Sequence, residues 1–427
     1  MFMNVAKQDV LGGLVNAALL MYALILSPTI IAGGVGTEFL GALMTTTIIV
    51  TILFTFANGI YANVPFAQSV YMGENAFFAF SLVGAGIPFA TALGIVFWAG
   101  VLFFFISVSG LRKRFGQAIP KNLSLVWGFA VAVFLLYLAF FDAGLFKANP
   151  NPGMPTLPAD YKTLSILSFF ILSILIVFLF KKLPEAVKGL AILTSIVLAL
   201  ILAPFIFKIS YPAFNFGIED PSKVVFILNF AGAWKYAHLI LIFLLIELVD
   251  VTGTLKALVT PLKLEHEEEV INKVMHVEGL STAVGALFGQ PTVGTYIESA
   301  GALSAGARTG MASVVTAIVF IPVLFLTPFF SKLPFWVLTW ATAPALAAVS
   351  GFILVKVFQE IDFKEYSENV FLILLTFPGI FAGNLLMAFV LPMIALPGID
   401  HFTGKKINAS TLIISLLGLF TLVLYHY

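Results

Sequence analysis

Gly289-Gln290-Pro291-Thr292-Val293-Gly294-Thr295-Tyr296-Ile297-Glu298-Ser299-Ala300-Gly301 decides the fold. One carboxylate, Glu298, sits in a run that is otherwise small, apolar or hydroxylic, with apolar segments on both sides, Leu280–Leu287 before it and Met311–Leu326 after. If those segments cross a bilayer, Glu298 lies at membrane depth. An acid there costs roughly 2.5–3.5 kcal/mol, so it needs a partner or a task. Pro291 and Gly294 prevent a regular helix at the start of the segment. The expected local structure is a short extended piece feeding a half-helix whose first turns carry the acid. Broken spans of this kind bring backbone polar groups to the bilayer midplane, where a ligand can reach them.

Composition supports the bilayer. The chain is 60% hydrophobic and 10% charged, with a mean hydropathy of +1.07, whereas a soluble domain carries about 25% charged residues. Apolar runs of membrane-spanning length recur along the chain, which makes it a polytopic membrane protein. A net charge of +1 argues against nucleic acid as a partner. There is no Cys, hence no thiol nucleophile, disulfide or thiolate metal site, and the five His show no metal-ligand spacing. No metal or cofactor is expected. The first apolar run, Val10 to Gly34, is too long for a signal-peptide core and reads as a retained span.

Fourteen spans are expected, all helical, near 11–33, 40–61, 65–84, 88–110, 122–144, 163–181, 186–208, 236–258, 269–290, 291–308, 310–331, 334–357, 367–397 and 409–426. Spans 3 and 10 are short and rich in Gly, Pro and polar residues. Span 13 is interrupted at Pro378-Gly379, and 217–232 reads as an interfacial segment. The basic residues Arg112, Lys113, Arg114, Lys121, Lys181, Lys182, Lys188, Lys256, Lys263, Lys273, Lys7, Arg308, Lys356 and Lys364 place 14 of the 22 Lys and Arg on one side. That side is the cytoplasm by the positive-inside rule, with both termini on it. The Pro-rich loop from Lys147 to Pro158 would face outward, and Glu265 to Glu269 would be a solvated helix start.

The halves look related. Tyr71-Met72-Gly73-Glu74 resembles Tyr296-Ile297-Glu298 at an offset of 296 − 71 = 225, and Gly84-Ala85-Gly86 resembles Gly306-Ala307-Arg308 at 306 − 84 = 222. Ile95-Val96-Phe97 resembles Ile318-Val319-Phe320 at 318 − 95 = 223. A repeat of seven spans, an odd number, must be inverted in the membrane. Residues 1–215 would form the first repeat and 216–427 the second.

Span 8 carries Glu247, Asp250 and Thr254 at i, i+3 and i+7, so one helix face holds two acids and a hydroxyl. Two intramembrane carboxylates one turn apart do not both ionise readily, so one is expected to hold a proton near neutral pH, as a proton-coupling site requires. Span 3, Tyr61 to Phe78, has the polar, broken character of span 10. Two such segments meeting at midplane would offer unpaired N–H and C=O groups to a planar heterocycle. Acids of spans 8 and 10 would accept its ring N–H, and Phe77 or Phe78 would stack on its face. Ser27-Pro28-Thr29 in span 1 is expected to kink or end that helix and to contribute polar groups to the same cavity.

These stretches resemble the purine (adenine, guanine, hypoxanthine) permease branch of the nucleobase–ascorbate transporter superfamily, also called nucleobase–cation symporter-2. The resemblance runs over nearly the whole length. It is carried by Tyr22 to Ile31, Tyr61 to Phe80, Gly110 to Leu123, Asp250 to Leu255 and Thr292 to Gly310, most specifically by Thr295 to Gly301. It implies two inverted seven-span repeats arranged as a core domain (spans 1–4 and 8–11) and a gate domain (spans 5–7 and 12–14), with short strands in spans 3 and 10. It implies uptake of a nucleobase coupled to protons across the plasma membrane. Glu298 matches the base-binding position, and Asp250 matches the carboxylate linked to substrate and proton. Thr254 stands where relatives of the uracil branch have a histidine. Residues and resemblance together give a substrate set of Glu298, Asp250, Thr254, Asn75, Ala76, Phe77, Thr295, Tyr296 and Ser299, and a proton set of Asp250, Glu247, Glu298 and Glu74.

The sequence departs from the family pattern at Glu74, Val251, Pro291 and Gly294. Uracil, xanthine or another small anion, with a different coupling ion, is the alternative cargo. A homodimer through spans 5 and 12 is left open. An intramembrane enzyme is disfavoured because no catalytic constellation is present.

Overall fold

The computed structural model describes residues 2–111, 119–146, 159–361 and 366–425. The basic cluster Arg112 to Arg114, the Pro-rich loop 147–158 and Lys364 lie outside them. Among the described residues, nine helices are long and apolar enough to cross a membrane. They lie within Lys7–Val35, Thr37–Ala62, Phe89–Val108, Lys121–Asp142, Ala159–Lys182, Leu190–Phe207, Phe230–Leu262, Phe335–Glu360 and Leu385–Phe402. Shorter apolar helices cover Met311–Leu324, Glu368–Phe381 and Ala409–Leu424. The helix Glu267–Leu287 is less apolar, because it opens on three glutamates and carries Glu278 inside.

Several boundaries differ from the sequence-based ones, for physical reasons. The first span is broken at Met21 and Tyr22, between helices Phe2–Leu20 and Ala23–Val35. Pro28 neither ends nor interrupts the second of these. Span 13 is divided further than Pro378-Gly379 suggests, into Tyr366–Leu374, Phe377–Phe381 and Leu385–Phe402. The 217–232 stretch holds a single 3-10 turn, Pro221–Lys223, and the start of the short helix Phe230–Ala233.

Two strands, β1 (Gln68–Val70) and β2 (Val293–Thr295), form an antiparallel ribbon inside the helical bundle. The register pairs Gln68 with Thr295, Ser69 with Gly294 and Val70 with Val293. Beyond the strands the pairing continues, with Tyr71 N donating to Thr292 O and Tyr296 N to Ala67 O, both at 3.0 Å. Each strand runs into a half-helix, Met72–Ala76 after β1 and Ile297–Ser299 continuing as Ala300–Ser304 after β2. A ribbon in an apolar interior needs every outward backbone group satisfied. Thr55 Oγ1 supplies this on the β1 edge, accepting from Gln68 N and donating to Gln68 O, each at 3.0 Å. On the β2 edge Thr282 Oγ1 accepts from Val293 N at 3.2 Å, and Ser281 Oγ lies 3.0 Å from Val293 O.

Candidate functional site

The two residues that follow the strands lock the ribbon. Tyr71 Oη donates to Thr295 O at 2.9 Å, and Tyr296 Oη donates to Val70 O at 2.5 Å. Their rings stack, with centroids 5.9 Å apart. Both bonds obey the 225-residue offset, so the ribbon has a local two-fold axis. Gly294 belongs to this arrangement. A Cβ there would lie 2.4 Å from the Tyr71 ring, so glycine at this position makes room for that tyrosine.

In front of the ribbon lies a cavity of about 430 Å3. One wall comes from the strand ends and half-helices: Tyr71 to Glu74 and Thr295 to Glu298. A second comes from Ile246, Val249, Asp250 and Thr254 of the helix Ala237–Val259, with Tyr22 from the break in the first span. The far wall consists of Ser124, Trp127, Gly128 and Val131 of the helix Lys121–Asp142, Val349, Phe352, Ile353 and Lys356 of Phe335–Glu360, and Phe389 of Leu385–Phe402. Three carboxylates and one ammonium group therefore share the space. Asp250 and Lys356 are solvent-exposed there, Glu298 is half-buried and Glu74 is 6% exposed. Tyr22 Oη donates to Glu298 Oε1 at 2.6 Å. At the other end of the same seam the helices close: Leu26, Thr29, Leu138, Asp142, Thr342 and Leu346 help line a void of about 10 Å3.

The structure thus brings together Glu298, Asp250, Thr254, Glu74, Thr295 and Tyr296. It does not bring Asn75, Ala76, Phe77, Ser299 or Glu247 to the cavity. Asn75 and Ala76 are fully buried on the half-helix and do not line it. Phe77 packs against Phe243 and Phe389 at 5.0 and 5.3 Å, with no face left for a ligand, and Phe78 packs against Phe89. Of the far-wall aromatics that line the cavity, Phe352 is exposed, whereas Trp127 and Phe389 are buried against each other. Ser299 Oγ accepts from Ala67 N at 3.0 Å and so braces the two strand approaches. Ser27 likewise donates to Val70 O at 3.1 Å without lining the cavity.

Glu247 lies behind β2, fully buried, and its Oε1 accepts from Thr282 Oγ1 at 2.7 Å. Beside it is an acid that the sequence reading passed over. Glu278 is fully buried, and its Oε1 accepts from Thr295 N at 2.7 Å. Each of these two carboxyls has a second, buried oxygen, Oε2, with no hydrogen-bond partner among the described residues. The signal for Glu278 was an acid within the buried helical run Val274 to Ala286. It was masked by the acidic helix start at Glu267 to Glu269. Lys356, counted at the end of span 12 for orientation alone, also lines the cavity. Among the described residues, no cluster of His, Asp or Glu suited to a metal ion occurs.

The chain has counterparts among known proteins. An adenine permease of Escherichia coli is 28% identical over 375 residues, covering 86% of this chain and 80% of the relative. A guanine/hypoxanthine permease of Bacillus subtilis is 28% identical over 432 residues, covering 98% and 97%. Among solved structures, the transmembrane domain of the cyanobacterial bicarbonate transporter BicA superposes with a TM-score of 0.61 at 16% identity, over 88% of this chain and 97% of that one. That likeness is one of fold alone. The Permease family model matches residues 7–418. The chain therefore belongs to the Permease family, and it is a multi-pass membrane transporter rather than an enzyme.

Proposed function

We propose that the protein imports purine bases by proton symport, through alternating access of a core domain against a gate domain. The observation that carries this reading is the sharing of one cavity by Glu298, Asp250 and the ends of two crossed half-spans. About 430 Å3 falls in the range of small-molecule sites, which is ample for a bicyclic base. Glu298 accepts a ring N–H, the half-helix N-termini offer backbone N–H groups to ring acceptors, and Phe352 covers the ring face.

In this reading Asp250 takes a proton from the outer side. Neutralising it removes its attraction to Lys356 on the opposite wall and frees the core to move against the gate. One proton moving down 100 mV supplies about 2.3 kcal/mol, enough for roughly 50-fold accumulation. The open cavity and the closed Asp142 end are the two unequal ends that such a cycle alternates. The proposed architecture is fourteen spans in two inverted repeats, 1–215 and 216–427, with both termini cytoplasmic in the plasma membrane. The local two-fold axis of the ribbon supports it. The cargo is assigned by analogy with the adenine and guanine/hypoxanthine permeases.

The test is uptake of radiolabelled adenine, guanine, hypoxanthine and uracil into proteoliposomes with an imposed pH gradient. Purine accumulation that follows the gradient is expected. Asp250→Asn should leave binding within about threefold, because it keeps the hydrogen-bonding shape, while making uptake indifferent to the gradient. Wild-type uptake that ignores the gradient sinks proton coupling, and uptake of uracil alone sinks the purine assignment.

A further inference from the structure

We infer that Tyr22 sets which base edge the protein prefers, by occupying one of the two oxygens of Glu298. This rests on the proposal that Glu298 receives the base. Tyr22 stands at the break in the first span, where the chain leaves one helix and starts the next. Its carbonyl accepts from Leu26 N at 3.0 Å, which fixes the backbone. The side chain is 0% exposed, so the phenol cannot swing out to water. Its hydroxyl donates to Glu298 Oε1 at 2.6 Å, and this is the one side-chain hydrogen bond that Glu298 makes among the described residues. Tyr22 and Glu298 both line the cavity.

A carboxylate with both oxygens free accepts two parallel N–H bonds from side-by-side donors, the strong bidentate arrangement. With Oε1 held by Tyr22, Glu298 has only Oε2 to offer at full strength. It then reads a single donor, a ring N–H, and gains little from an amino group beside that N–H. Guanine and hypoxanthine isolate this difference, since they share the ring N–H and only guanine has the adjacent amino group. The tyrosine therefore makes the site nearly blind to that substituent. Phenylalanine at the same position would release Oε1 and give the amino group a partner.

The experiment measures dissociation constants of guanine and hypoxanthine for the full-length protein and for Tyr22→Phe, by calorimetry in detergent. Wild type should bind the two within about threefold, since neither gains a second full charge-assisted bond. Tyr22→Phe should shift the ratio towards guanine by about tenfold, the worth of one added hydrogen bond to a charged group. If Tyr22 serves packing alone, both bases weaken together and the ratio stays put, which overturns the inference. Wild type already preferring guanine by about tenfold overturns it too, without needing the variant to fold. If wild type binds neither base the inference falls, and if it also fails to bind adenine the proposed function falls with it. If both bind and the ratio does not move, only the role of Tyr22 falls.

Discussion

The β1 half and the β2 half of the ribbon share one scaffold and differ in charge. Each strand ends in a tyrosine that donates to the other strand, Tyr71 to Thr295 O and Tyr296 to Val70 O. Each is held along its outer edge by a threonine of the neighbouring helix, Thr55 or Thr282. The acids break this symmetry. Counting 225 residues from Glu298 leads back to Gly73. Counting 227 from Glu278, the spacing that relates Thr282 to Thr55, leads back to Thr51. Thr51 Oγ1 shares a hydrogen bond with the hydroxyl of Ser69, at 2.8 Å. The β1 half carries its acid one residue later, as the buried Glu74, while the β2 half presents the half-buried Glu298 and keeps a further acid, Glu278, behind its strand. A two-fold frame thus positions acids that are unevenly placed and unevenly exposed.

The widest gap between the halves should appear in binding. Glu298→Gln removes the cavity's acceptor and should weaken base binding by about a hundredfold, towards the upper end for a bond to a charged group. The melting temperature should barely change, because the side chain is half-buried and braced only by Tyr22. Gly73→Ala, at the matching position, points a methyl at Val131 Cγ1, which a Cβ would meet at 2.7 Å. It should slow transport by hindering the approach of the two walls, with base affinity kept. Equal losses of affinity from the two changes would mean that Glu298 has no privileged role.

Stability separates the next pair. Glu278→Leu leaves the buried Thr295 N–H without an acceptor and should cost about 2 kcal/mol, read as a lowered melting temperature. Glu278→Gln keeps an oxygen for that N–H and should recover most of it. Thr51→Val removes one neutral bond and should cost about 1 kcal/mol. If Glu278→Leu melts like wild type, β2 is not held from behind by this acid.

Much of this site could be read in the sequence. Pro291 and Gly294 gave the broken span, and the lone acid among small residues gave Glu298. Helical spacing gave the shared face of Asp250 and Thr254. The parts that were not legible share a cause: they depend on which of several equivalent positions faces which neighbour. Glu247 and Asp250 sit one turn apart, yet the packing of the helix Glu267–Leu287 closes over one and leaves the other in the cavity. Phe77 is one of 45 phenylalanines, and its burial between two others is set by tertiary contact. The break at Tyr22 contains neither Pro nor Gly. The nearby Pro28, the local signal for a break, lies inside a continuous helix.

The smallest gap lies at the centre of the ribbon, where Ser69 faces Gly294. Ser69→Ala loses the bond to Thr51 and should cost about 1 kcal/mol. Gly294→Ala adds a methyl that Tyr71 Cε2 already crowds at 2.4 Å, with the Tyr71 hydroxyl 2.7 Å away. Tyr71 cannot yield easily, because its hydroxyl is bound to Thr295 O and its ring is stacked on Tyr296. The strain should therefore cost about 2 kcal/mol, as overpacking of a filled interior does. It should also show in the site, since Tyr71 and Tyr296 both line the cavity. Combining Gly294→Ala with Tyr71→Ala removes the ring that the methyl meets, so the double variant should be more stable than the sum of the two single losses by about 1 kcal/mol or more. Strict additivity in that cycle would show that Gly294 is not there to admit Tyr71, and that the match between the two halves at this point is coincidental.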